Sequence, residues 1–204
     1  LALLAGCAAP VEWTFERAGV PPLHVDDRTY TVSEALAVPS PDVLAVNADM
    51  RAFVEKFAAP SHSERSKLQS LHWAVRDREG LDLRYDAFAD GDAATTFERG
   101  TANCLSYAHL FVALAREAGL DARYQWMEVR PEWHRIGERV AVRLHVNVQV
   151  KTSHDGNEYM LDIDPLRRSE VAGARLMSDA EGLALHHNNL AMVALADDRP
   201  AEAW

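Results

Sequence analysis

The chain has 204 residues, 48% of them hydrophobic, enough to bury the core of one ordinary domain. Its net charge of −10 argues against nucleic acid as a partner, because binding phosphate needs clustered basic surface. No apolar run is long enough to cross a bilayer.

The opening residues, Leu1-Ala2-Leu3-Leu4-Ala5-Gly6-Cys7, read as the end of a signal peptide. Leu4-Ala5-Gly6-Cys7 resembles the bacterial lipoprotein box, in which an apolar residue and two small ones precede a cysteine. The resemblance implies cleavage before Cys7, a diacylglycerol on its thiol and a membrane held through that lipid. Ala8 in place of Asp after the cysteine implies the outer membrane, with the protein facing the periplasm. Lipidation of Cys7 would leave Cys104 without a partner in the chain, since there are only two cysteines. A free thiol in an oxidising envelope needs a reason, and nucleophilic catalysis supplies one.

Residues 8–42 read as a tether, because Pro10, Pro21, Pro22, Pro39 and Pro41 disfavour helix; Trp13 and Phe15 are its candidates for packing on the domain. Residues 43–59 predict a helix with Val46, Met50, Phe53, Val54 and Phe57 along one side, and Pro60 ends it. Residues 64–78 predict a second amphipathic helix, with Leu68, Leu71, His72 and Val75 sharing a face. Residues 80–88 read as a short strand or loop and 89–93 as a polar turn.

Around Cys104 the pattern is helical to Ala118. Ala108, Phe111, Val112 and Ala115 recur at three- and four-residue steps, Thr101 and Asn103 are both good caps, and Gly119 is a natural terminator. Cys104 thus falls in the first turn, where orphan N–H groups and the helix dipole favour a thiolate. Residues 122–129 predict a strand and 130–138 a loop containing Trp133 and His134. Residues 140–150 alternate, with valines and Leu144 on one face and Arg143, His145, Asn147 and Gln149 on the other. Residues 159–164 alternate again after a turn at Asp155-Gly156, which completes a hairpin. A six-residue connection sets Asp162 opposite His145, whereas a tight Asp155-Gly156 turn leaves Asp164 the closer carboxylate. In either register a carboxylate can orient the imidazole.

Among the other polar residues, Asn103 and Gln125 are side-chain candidates for an oxyanion hole, with capping or surface roles as the alternative. His109 is expected to be structural, and His154, His186 and His187 are expected on the surface. No Cys, His and carboxylate set has metal-ligand spacing, so no metal or other cofactor is implied.

Cysteine at a helix start, histidine on a strand and aspartate on the next strand resemble the transglutaminase-like group of the papain-like cysteine enzymes. The residues that carry this are Arg99-Gly100, Asn103-Cys104-Leu105-Ser106, Ala113 to Arg116, Gly119-Leu120-Asp121-Ala122-Arg123, His145-Val146 and Leu161-Asp162. The resemblance implies an α+β fold, with a helical N-terminal half and the nucleophile helix packed on an antiparallel sheet. It also implies Cys104 as nucleophile, His145 as general base and acid, and Asp162 as orienting carboxylate, with Asp164, in an Asp-Pro pair, the second choice. Where that group usually has His-Ala-Trp, this chain has His145-Val146-Asn147.

Residues 178–204 resemble the opening of a tetratricopeptide repeat, which implies further repeats beyond Trp204 and a protein partner for them. The expected division is therefore residues 1–7 as signal-peptide end, 8–42 as tether, 43–177 as transglutaminase-like domain and 178–204 as the start of a helical repeat. The expected function is an amide-bond enzyme, peptidase or protein-glutamine acyltransferase, acting on a protein or peptide. The alternative is an inactive domain of the same fold that presents helical repeats to a partner.

Overall fold

The computed structural model describes residues 19–129, 133–136, 139–142 and 144–204. The lipoprotein box with Cys7, and Trp13 and Phe15 of the tether, lie outside the described residues.

The region read as tether carries structure of its own from residue 23 onward. Strands β1 (Leu23–Val25) and β2 (Arg28–Tyr30) pair antiparallel around a turn in which Asp26 takes a positive φ of 50°. Helix α1 (Val32–Ala37) follows, closed at its start by a capping box between Thr31 and Glu34. The prolines sit outside these pieces, so they punctuate rather than forbid local order.

Three helices then lead to the site. Helix α2 (Ala48–Phe57) is shorter than expected because Asn47 caps it, its side chain accepting from the Met50 N–H. Helix α3 (Glu64–Arg76) begins at the Ser63 cap and buries Leu68, Leu71, Ala74 and Val75. Helix α4 (Ala93–Arg99), which starts at the last residue of the expected polar turn 89–93, is capped by Asp92 and ends on Gly100 at φ 69°. That left-handed residue turns the chain between α4 and β4 (Thr101–Ala102), which pairs in parallel with β3 (Arg84–Tyr85).

Helix α5 (Cys104–Glu117) is the centre of the molecule, with Leu105 to Ala115 all buried. A helix that is apolar all round must be enclosed on every side. Helices α2, α3 and α4 pack around it, and it lies on β5 (Asp121–Val129) and β8 (His145–Lys151). Gly119, at φ 79°, ends it as expected.

The main sheet is antiparallel, with strand order β10-β5-β8-β9, where β9 is Glu158–Leu161 and β10 is Val171–Met177. The stretch expected as one strand over residues 140–150 is divided. Its first part is β7 (Arg139–Val142), which pairs with β6 (Trp133–Ile136) inside the region expected as loop. Its second part, β8, takes β5 and β9 as partners. Tyr124, Val146, Val148 and Val150 join the α5 residues in one core.

The C-terminal residues form α6 (Asp179–Ala196) and the short α7 (Pro200–Ala203). Helix α6 packs on α5 and β5.

Candidate active site

Cys104 owes its place to a well-satisfied helix start. Asn103 is the cap, and its Oδ1 accepts from the Ser106 N–H at 2.9 Å, while Ser106 Oγ accepts from the Asn103 N–H at 2.9 Å. Ser106 Oγ also donates to the Ala89 carbonyl at 2.7 Å, and Asn103 Nδ2 donates to Asp90 Oδ1 at 2.6 Å. Asn103 therefore takes the capping role of the two considered for it. Cys104 is the first helical residue, half-buried and free. The N–H groups of Cys104 and Leu105 precede the helix's own bonding ladder, as first-turn amides do.

His145 is the first residue of β8, opposite Met127 of β5, and is 1% exposed. Its Nε2 lies 2.6 Å from Asp162 Oδ2. Nδ1 is the ring nitrogen that Asp162 does not use, and Cys104 is close enough to the ring to raise its basicity. Burial alone would lower the basicity of His145. The hydrogen bond that the ring donates to Asp162 and the interaction with Cys104, together with the charges of both, outweigh it and push the imidazole up to about 9.

Asp162 lies just past the end of β9 and is itself buried. Its second oxygen accepts from the Asp164 N–H at 3.1 Å, and its carbonyl accepts from Arg76 Nη1 at 3.4 Å. Cys104, His145 and Asp162 thus come together, with Asp162 on the ring and Asp164 bracing Asp162. Tyr107, one turn beyond Cys104, is fully buried and stacks on Phe111 at 5.7 Å. Burial first, then the nearby Asp162 charge, push its phenol well above the ordinary range.

Other polar residues depart from expectation. Gln125 faces Asn147 across the β5–β8 pair, on the face that carries His145, and is buried rather than exposed. The amide oxygens of both side chains have no hydrogen-bond partner among the described residues. His186 is likewise buried, because α6 lays it against His109 with ring centres 5.4 Å apart. His109 Nδ1 takes the Tyr124 hydroxyl at 2.7 Å, the structural role expected of it. His154 and His187 are exposed.

The residues not foreseen from the sequence are Asp90, which accepts from the Asn103 cap, Arg76, which donates to the Asp162 carbonyl, and Tyr107, whose phenol feels the Asp162 charge. Tyr107 carried a signal in its spacing of one turn from Cys104. Asp90 and Arg76 carried none, since only the fold brings them here. A cavity of about 600 Å³ lies beside Asp162, lined by His72, Met127, Asn147, Met160 and Leu166 among others.

The family model of the transglutaminase-like superfamily matches residues 51–164. Among solved structures, a candidate cysteine protease from Cytophaga hutchinsonii is similar at 15% identity and a TM-score of 0.42, over 71% of this chain and 56% of that one. A candidate protease from Parabacteroides distasonis ATCC 8503 is similar at 16% identity and a TM-score of 0.42, over 58% of this chain and 23% of that one. This chain therefore matches only part of each of those proteins. No curated protein matches the sequence. With a matched span running from α2 to just beyond β9, this chain belongs to the transglutaminase-like superfamily.

Proposed function

We propose that this chain is a cysteine-dependent enzyme acting on amide bonds, with Cys104 as nucleophile, His145 as acid and base, and Asp162 as the carboxylate that orients the ring. The observation that carries this reading is one imidazole held at 2.6 Å by a buried carboxylate, with a half-buried thiol close enough to the ring to raise its basicity. A raised imidazole basicity favours the thiolate–imidazolium pair, the form in which a cysteine attacks.

The chemistry follows from that pair. The thiolate sulfur bonds to the amide carbonyl carbon, and first-turn N–H groups stabilise the oxyanion. The C–N bond then breaks, and the imidazolium passes its proton to the departing amine. A thioester remains. Water or a lysine amine attacks it, His145 takes the attacking proton, and the C–S bond breaks to restore the thiolate. Water gives a peptidase or amidase; an amine gives a crosslink. The cavity beside Asp162, with Met127, Met160 and Leu166 in its wall, supports a substrate that brings an apolar side chain to this end of the site.

The same reading places the enzyme at the outer membrane through a lipid on Cys7, supported by Leu4-Ala5-Gly6-Cys7. It takes residues 178–204 as the opening of a repeat array for a protein partner, supported by the helix–turn–helix pattern of α6 and α7. Replacement of Cys7 by Ala is expected to release the protein from the membrane fraction.

The decisive experiment is alkylation of Cys104 by iodoacetamide near neutral pH, followed on the Cys104 peptide by mass spectrometry. Rapid labelling that slows in His145→Ala supports the enzyme. Equal labelling in the two proteins supports instead an inactive scaffold of the same fold.

A further inference from the structure

Helix α6 lies outside the matched span, yet it runs antiparallel along the whole nucleophile helix. At the far end of α5, Arg116 makes a two-pronged pair with Asp179, at 2.7 and 2.9 Å. Midway, His186 packs on His109 and Gly182 lies against the Tyr124 ring. At the Cys104 end the link is polar. Asp90 Oδ1 accepts from Asn189 Nδ2 of α6 at 2.8 Å and from Asn103 Nδ2, the α5 cap, at 2.6 Å. One carboxylate oxygen thus joins the C-terminal helix to the residue immediately before the thiol.

We infer that Asp90 and Asn189 are positioning residues for Cys104, so that α6 holds the thiol in line through the cap of α5. The inference rests on the cysteine-enzyme reading above. Its physical basis is the two-ended amide of Asn103. A carboxylate only accepts, so Asp90 binds Nδ2 and leaves Oδ1 turned onto the Ser106 N–H. Asn189 gives Asp90 a second donor and fixes it in place. The loop that carries Asp90 is pinned in turn, since Arg99 Nη1 donates to the Asp90 carbonyl at 2.8 Å and Ser106 Oγ to the Ala89 carbonyl. Loss of the carboxylate frees the Asn103 amide to rotate and the first turn to fray. Cys104, as the first helical residue, then moves most relative to His145.

The test compares Cys104 alkylation at pH 6.5 with that at pH 9, in the full chain. A thiol aligned with an imidazolium keeps much of its rate at the lower pH, whereas an ordinary thiol loses it. Asp90→Ala is expected to lower the pH 6.5 to pH 9 rate ratio about fivefold, and Asn189→Ala about twofold. Asp90→Asn, which keeps an acceptor oxygen, is expected to retain the parent ratio. Asp179→Asn, which loosens the other end of α6, is expected to lower the melting temperature without moving the ratio. Parent-like ratios in Asp90→Ala and Asn189→Ala would show a structural role and overturn the inference. If Asp90→Ala fails to fold, Asn189→Ala decides alone. A parent protein whose ratio already equals that of His145→Ala would overturn both this inference and the enzyme reading; an activated parent with unmoved variants overturns this inference only.

Discussion

Asp162 Oδ2 meets Nε2 of His145 at 2.6 Å although the strand ladder points to a different partner. Pairing of β8 with β9 runs Val148 to Leu161 and Gln149 to Met160, which continued in step would bring Asp164 opposite His145. The chain leaves the ladder after Leu161, and Asp162 reaches the ring diagonally while Asp164 turns its N–H back onto Asp162. Asp162→Asn is therefore expected to lower turnover of an amide substrate about a hundredfold or more, because the ring loses its orienting acceptor. Asp164→Asn keeps the backbone bond and is expected to cost only about threefold. Steady-state kinetics of both variants check this, and the reverse ranking would move the carboxylate role to Asp164.

Two buried histidines with opposite shifts bracket the stability of the fold. His145 sits near 9 against an ordinary 6.5: burial works against this, and the Asp162 and Cys104 interactions overcome it. The folded chain keeps a proton there that the unfolded chain releases. Its stabilisation is complete below about 6.5 and is lost as pH rises through 9. His109 behaves conversely. Burial first, then the neighbouring His186, push it down to about 3 against a weaker opposing pull from Asp92. Its contribution is complete above 6.5 and is lost as pH falls towards 3; His72 and His186, both lowered by burial, add to that limb. Urea unfolding is expected to show maximal stability near pH 6.5, with up to about 2 kcal/mol lost by pH 8.5 through His145. In His145→Gln the alkaline limb should flatten, and in His109→Gln the acid limb should become shallower.

The cap of α5 offers a sharper chemical test. Asn and Asp are usually equivalent caps. Here Asn103 Nδ2 lies 2.6 Å from Asp90, so Asn103→Asp would set two carboxylates against each other. Asn103→Asp is expected to destabilise the protein by about 2 kcal/mol, more than Asn103→Ser, which keeps a capping oxygen without the charge. Lowering the pH should narrow the difference as the carboxylate pair shares a proton. Thermal melts of the two variants at pH 7 and pH 5 read this directly.

What could be read from the sequence followed how strongly each segment patterns itself. Helix α5 combines a cap, an apolar period and a terminating glycine, and its observed bounds lie within a residue of those expected. Strand β5 and the β8–β9 hairpin were legible through alternation and β-branched residues. Strand β10 was not: Val171-Ala-Gly-Ala-Arg-Leu-Met lacks alternation, mostly faces solvent and is a strand because β5 offers it a partner. Helix α4, Ala-Ala-Thr-Thr-Phe-Glu-Arg, is too short to show a period and exists because Asp92 caps it and Gly100 lets the chain turn away. At the site, Cys104 and His145 could be named because each sits in a patterned element, and Asp162 because it directly follows one. Asp90, Arg76 and Asn189 could not, because residues far apart in the chain bring them to the site.

Gly182 carries the last test, of whether α6 is tightly seated. Glycine inside a helix ordinarily costs about 1 kcal/mol, so replacement by alanine on an open face should stabilise. At Gly182 a Cβ would stand 2.9 Å from Tyr124 Cε2. Tyr124 is fully buried and its hydroxyl is held by His109, so the ring cannot swing aside without breaking that bond. Gly182→Ala is therefore expected to destabilise by about 1–2 kcal/mol despite its better helix propensity. Under the positioning role inferred for Asn189, it should also lower the Cys104 labelling ratio, since displaced α6 carries Asn189 away from Asp90. A gain in stability in Gly182→Ala would mean that α6 stands off from Tyr124, and that the Asn189–Asp90–Asn103 chain of contacts is not held from the C-terminal side.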